Sequence, residues 1–163
     1  MQLSTQGTQL LQSIEKLALQ PYDDQNGKKI STWVKGATIG YGHLIAKKDW
    51  SKYQNGIDQA GADQLFQEDL APFARAINAK VTATLTQPEF DALVILAFNI
   101  GVGNFNSSSV LKMVNDSAAQ TSYPTLEAAW KAWNKSQGKV MKGLDNRRQA
   151  EWDIYSKGLY QTW

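Results

Sequence analysis

The stretch Glu89–Asn99 constrains the fold more than any other, because Phe90, Leu93, Val94, Leu96, Ala97 and Phe98 make it apolar on most faces. A helix without a polar side has to be surrounded by other elements. Thr86-Gln87-Pro88-Glu89 opens it with a capping box and a proline in the first turn, and Gly101 is its expected C-cap. Candidate neighbours lie on both sides in sequence. A short amphipathic helix is expected from about Ser4 to Glu15, with Ser4 or Thr5 as N-cap and Leu10, Leu11 and Ile14 on its apolar stripe. Beyond Asp58, Leu65, Phe66, Leu70, Phe73, Ala74 and Ile77 form a second stripe at helical spacing. Short helices are expected after Ser107–Ser109 and after Thr125, and a last one from about Asp145 to Lys157, stopped by Gly158.

Between the first helix and the rest the chemistry changes. Pro21 disfavours helix for the residue before it. From Tyr22 to Leu44, Asp23, Asp24, Asn26, Gly27, Gly36, Gly40 and Gly42 supply turns. Ile30, Thr32 and Val34, then Thr38, Ile39 and Tyr41, supply strand material for a small antiparallel sheet of two or three strands. The expected class is therefore α+β, one domain over residues 1–163. It would have a small α+β lobe at about 12–60 and a helical lobe at about 61–163, with the first helix packed on the helical lobe. A cleft between sheet and bundle is the default ligand site.

Composition narrows the chemistry. The chain has no cysteine, so neither a disulfide framework nor thiolate catalysis is available. His43 is the single histidine, which excludes a multi-histidine metal site. The formal net charge of +2 suits an acidic polymer such as a cell wall, and is too small to suggest nucleic acid. Met1–Gly7 carries no basic n-region, and no apolar run reaches the length of a membrane span, so neither a signal peptide nor membrane insertion is expected. A monomer without cofactor or metal is the default.

Two features carry possible chemistry. Glu15 closes the first helix and Asp24 follows it past a proline, so two carboxyl groups can reach one site from different backbone elements. Glycoside hydrolysis uses such a pair, one protonated and one ionised. Thr38-Ile39-Gly40-Tyr41-Gly42-His43 alternates small and large residues, which fits either close approach of a ligand or a tight turn.

Glu15, Tyr22 and Asp24, followed by Thr38-Ile39-Gly40-Tyr41-Gly42-His43, resemble the catalytic signature of the phage lysozyme (endolysin) family, glycoside hydrolase family twenty-four. Phe90-Asp91-Ala92-Leu93 and Phe98-Asn99-Ile100-Gly101-Val102-Gly103 are similar to its central helix and the turn after it. Gly143-Leu144, Arg147-Arg148, Glu151 and Gly158 resemble its last block. The resemblance implies a lysozyme-like fold and a muramidase that hydrolyses the β-1,4 bond between N-acetylmuramic acid and N-acetylglucosamine in peptidoglycan strands. It implies Glu15 as general acid, Asp24 as second carboxylate and Thr38 as a residue placing the attacking water, with inversion at the sugar carbon. Asp24 fits the spacing better than its neighbour Asp23. Arg147, in better register than Arg148, would support Glu15. Gly40 and Tyr41 belong to the substrate-binding or supporting set, and His43 is a structural residue rather than a base.

One departure stands out. Thirteen residues, Gln25–Ala37, separate Asp24 from Thr38, where the family commonly has a short hairpin. They include Lys28, Lys29, Trp33 and Lys35, and either lengthen a sugar-binding surface through Trp33 or form a solubilising loop. A lytic transglycosylase and a non-catalytic wall-binding module are the competing functions; the intact Glu15, Asp24 and Thr38 favour hydrolysis. Without a leader, the protein would be made in the bacterial host cytoplasm. It would reach the wall through a holin-made lesion, or fused to a tail or effector protein.

Overall fold

The computed structural model describes residues 1–163. They fall into two compact units, one of Met1–Leu11 with Pro72–Trp163 and the other of Gln12–Ala71. The boundaries lie inside two helices, α1 (Thr5–Ile14) and α3 (Gln59–Lys80, with Pro72 in its interior).

The first unit is built on α4 (Gln87–Ile100), whose residues Phe90–Ala97 are all buried. Its start follows the sequence closely: Thr86 Oγ1 accepts from Glu89 N at 3.3 Å, and Glu89 Oε1 accepts from Thr86 N at 3.1 Å. Gly101 ends it at φ 92°, a backbone region that glycine enters without strain. Against α4 packs α8 (Lys142–Lys157), which stops at Gly158 in the left-handed conformation. Shorter helices α5 (Val102–Asn106), α6 (Ser109–Asn115, N-cap Ser108) and α7 (Leu126–Lys131, N-cap Thr125) complete this unit. Each fully buried Leu, Ile, Val or Phe of α4 contributes about 1.5–3 kcal/mol by leaving water.

Two polar clusters are embedded in that apolar unit. Asp91, on α4 and fully buried, accepts from Ser4 N and Oγ, Gln87 Nε2 and Tyr160 OH. Ser4 Oγ in turn caps α1 by accepting from Gly7 N at 3.0 Å. The chain's beginning and its last residues are thereby tied to the central helix. The second cluster is an ion group on α8. Glu151, fully buried, accepts from Arg147 Nε (2.9 Å), Arg148 Nη2 (2.9 Å) and Trp130 Nε1 (3.1 Å). Burial pushes the Glu151 carboxyl above its ordinary range even with both guanidiniums beside it, and it pulls Arg148 down.

In the second unit, β1 (Ala18–Asp23), β2 (Ala37–Gly40) and β3 (His43–Leu44) form an antiparallel sheet in that order. Pro21 is tolerated because β1 is an edge strand. Ile30, Thr32 and Val34 do not form the expected strand. The isolated bridge Tyr22–Lys29 and the bond from Ile30 N to Pro21 O join that segment to β1 without forming a ladder, and Ile30 and Val34 pack as side chains against Ala37, Ile39, Ile45 and Leu65. Burial of alternate residues needs no ladder when the segment folds over a small apolar cluster. A short helix α2 (Trp50–Tyr53) leads toward α3. A two-stranded ribbon in the other unit, β4 (Lys135–Ser136) with β5 (Lys139–Val140), escapes sequence reading because each strand is too short for a period.

Candidate active site

Glu15, Asp24 and Thr38 all lie in the Gln12–Ala71 unit, on three different backbone elements. Glu15 is the first residue past α1 and is half-buried, whereas Asp24, just past β1, is exposed. Their neighbourhood is shared by Tyr22. Burial, then the charge of Asp24, then that of Glu15, hold the Tyr22 hydroxyl above its ordinary pKa. Glu15 also approaches the β2–β3 connection: a Cβ on Gly42 would stand 3.8 Å from Glu15 Oε2. Gly42 has φ 85°, so this close, left-handed position suits glycine.

Asp24 and Thr38 are organised by one peptide group. The Asp24 N–H donates to the Gly36 carbonyl at 3.0 Å, and Thr38 Oγ1 donates to the same oxygen at 2.9 Å. Thr38 is only 4% exposed, and in the sheet it sits opposite Tyr22. Gly36 itself has φ 100°, and a side chain there would run into Asp24 Oδ1. The neighbouring Asp23 is otherwise engaged. Its Oδ1 accepts from Gln25 N at 2.9 Å, its carbonyl accepts from Gly27 N at 2.7 Å, and its side chain thereby closes the turn after β1.

The glycine-rich run is a hairpin rather than one strand, with Gly40-Tyr41-Gly42 linking paired Ile39 and His43. Gly40 is buried, 3.7 Å at a would-be Cβ from Ile57 and Leu65, so its smallness serves packing. Tyr41 OH donates to Asp63 Oδ1 (3.3 Å) and accepts from Gln59 Nε2 (2.9 Å), while its ring lies 5.2 Å from that of Phe66. These contacts pin the hairpin tip to α3. His43 Nδ1 lies 2.9 Å from both Asp69 carboxylate oxygens, with the Tyr53 ring 5.7 Å away. The bond to Asp69 raises the imidazole pKa; burial opposes it, and the charges of Asp69, Asp49 and Glu68 add to the rise. Trp33 is half-buried against the Ala37–Leu65 cluster, its Nε1–H donating to Ile45 O at 2.9 Å and Lys47 Nζ standing 5.8 Å from the ring centroid.

Arg147 belongs to the helical unit. Besides Glu151, its guanidinium donates to the Ile95 carbonyl at 3.2 Å and lies 5.0 Å from the Trp163 ring centroid. No group of three or more histidine or acidic side chains is arranged to hold a metal. Sequence reasoning gave Gly36 and Gly42 a turn role without their closeness to Asp24 and Glu15, and missed Asp69. A glycine immediately before a β-branched strand was a usable signal for the first. Nothing local marks Asp69, which lies 26 residues from His43.

The phage lysozyme family matches residues 12–151. An endolysin of Bacillus phage PZA is 37% identical over 97% of this chain and 56% of its own length. The chain thus spans about half the length of that relative and of the Bacillus phage B103 endolysin. The endolysin of Salmonella phage P22 is 33% identical, over 93% of this chain and 95% of that protein. Among solved structures, an endolysin from Escherichia coli O157:H7 phage FAHEc1 superposes with a TM-score of 0.79 at 32% identity, covering 99% of this chain and 98% of that one.

Proposed function

The chain belongs to the phage lysozyme family and has its mixed helix and small-sheet fold, and from that premise we propose that it is a muramidase. It hydrolyses the β-1,4 bond between N-acetylmuramic acid and N-acetylglucosamine in bacterial peptidoglycan. The observation that carries this reading is the unequal pair of carboxyl groups around Tyr22: Glu15 half-buried, Asp24 in solvent, with the Thr38 hydroxyl anchored beside the latter.

The chemistry follows from that inequality. Glu15, protonated, gives its proton to the glycosidic oxygen as the bond to the sugar carbon breaks. Asp24, ionised, takes a proton from a water that attacks the same carbon from the opposite face. Thr38 Oγ1 donates to Gly36 O, which leaves its lone pairs to accept from that water and fix its direction. Single displacement of this kind inverts the anomeric carbon and needs about 6.5–9.5 Å between the carboxyl groups. Asp23 is a poor substitute for Asp24 because its carboxylate already closes a turn. Gly40, Tyr41 and His43 act as supports, and Trp33 offers a sugar only the exposed part of its ring. The family resemblance gives Arg147 a supporting part toward the acid.

Purified peptidoglycan assayed for new reducing ends tests the assignment with Glu15→Gln, Asp24→Asn and Thr38→Ala. All three should fold and lose activity, and the wild-type products should carry one added water. A folded Glu15→Gln protein cutting at the wild-type rate would overturn it. No helix of the chain is long and apolar enough to cross a membrane. A holin-made lesion or attachment to a tail or effector protein is the route we propose to the wall.

A further inference from the structure

The segment that departs from the family's usual length contributes Gly27 and Lys29 to a concavity beside β1. Its walls are residues 16–20, Tyr22, Gly27 and Lys29, and its volume is about 350 Å³. All of it lies in the Gln12–Ala71 unit. The Tyr22–Lys29 bridge and the bond from Ile30 N to Pro21 O (3.2 Å) hold the segment against β1. Asp23 bends the chain into place through the Gln25 and Gly27 amides. The wall is thus built by backbone hydrogen bonds rather than by a loose loop.

Its charge is one-sided. Lys16 and Lys29 both line it, and Lys28 adjoins it. Ion pairs in the chain go to Lys52, Lys131, Lys157, His43 and the two buried arginines, and none to these three lysines. Lys16 Nζ instead stands 5.7 Å from the Tyr22 ring centroid. An aromatic face supports a cation and leaves its hydrogen-bond donors for an incoming acceptor. Tyr22 is also the residue that feels Glu15 and Asp24, so the basic concavity adjoins the candidate catalytic carboxylates.

The sugars of a peptidoglycan strand are uncharged; its anionic groups are the carboxylates of the peptides that hang from the lactyl side chains. The carboxylate of Asp24 at the reaction site repels those substituents, and a nearby cationic concavity offsets that repulsion. We propose that the Lys16–Lys29 concavity is a subsite for a carboxylate of the substrate's stem peptide. This rests on the muramidase reading. It makes the enzyme selective for strands whose peptides carry free carboxylates, and it assigns a use to Lys29 of the Gln25–Ala37 insertion.

The test compares soluble peptide-bearing glycan strands with the same strands after methyl esterification of their peptide carboxyls. For the double variant Lys16→Gln/Lys29→Gln, KM on the unmodified strands should rise about tenfold, roughly the size of one charge-assisted contact. Its kcat there, and both constants on the esterified strands, should equal those of the wild type on the same strands. Lys80→Gln/Lys112→Gln, an equal charge change on α3 and α6, should do nothing. An equal KM rise on esterified strands, no rise on unmodified ones, or the same rise from Lys80→Gln/Lys112→Gln overturns the subsite. A titration independent of turnover separates this failure from failure of the muramidase reading. Wild type should bind N-acetylmuramyl-L-alanyl-D-glutamate and lose that binding when the carboxyls are esterified; equal binding of acid and ester refutes the proposal even if no bond is ever cut.

Discussion

The two compact units solve opposite problems. In the helical unit nearly every polar group that is buried has been given a partner: Asp91 takes bonds from Ser4, Gln87 and Tyr160, and Glu151 takes two arginines and an indole. Its apolar residues from Phe90 to Ala97 are sealed from water. The Gln12–Ala71 unit has a smaller core around Ala37, Ile39, Ile45 and Leu65. It leaves Asp24 in solvent and glycines at positive φ beside carboxylates. A side chain whose bonding capacity is filled is held still; one whose capacity is open can bind. On the proposed assignment of Glu15 and Asp24, stability and chemistry are housed apart, and mutations should divide along the same line.

Glu15→Gln should give the largest effect. Loss of a general acid lowers kcat about 10²–10⁴-fold, and the thermal midpoint should hardly move; a matching fall in stability would break the division. Glu151→Ala is its mirror image. Leaving two arginines buried without their carboxylate should destabilise by about 3–5 kcal/mol in urea titration, while kcat of the protein that stays folded should fall far less than in Glu15→Gln. Gly36→Ala sits on the border. Its positive φ and the neighbouring Asp24 oxygen predict about 1–3 kcal/mol of strain together with a loss of activity, and activity without loss would detach Asp24 from the reaction.

The smallest effect concerns pH. The folded His43 pKa is raised by Asp69, so the pair stabilises fully below the unfolded histidine's pKa of about 6.5, and that increment is lost as pH rises through the raised folded value. Both side chains are partly exposed, at 23% and 30%, so the increment is about 1 kcal/mol or less. Asp69→Asn should flatten this part of the stability–pH curve; an unchanged curve would assign the slope to another group.

What could be read from the chain beforehand follows the same partition. The capping box at Thr86, the stop at Gly101 and the left-handed end at Gly158 depend on local chemistry, and each is where the residues placed it. Ile30–Val34 has the composition of a strand, but a strand is made by its partner, and the bridge at Lys29 and the bond at Ile30 make no ladder. Pro21 inside β1 likewise makes sense only once that strand is known to be an edge. The candidate site was legible as residue types through family likeness. The engagement of Asp23 by a turn, and the reason position 36 is glycine, depend on contacts that no spacing encodes.

The carbonyl of Gly36 has one more effect. Because the Asp24 amide and the Thr38 hydroxyl hang from the same oxygen, vibration of the loop displaces both in common mode and alters their separation little. A long insertion can therefore lie between them without detuning the pair, which is how an enzyme can remodel its substrate contacts while keeping its chemistry in register.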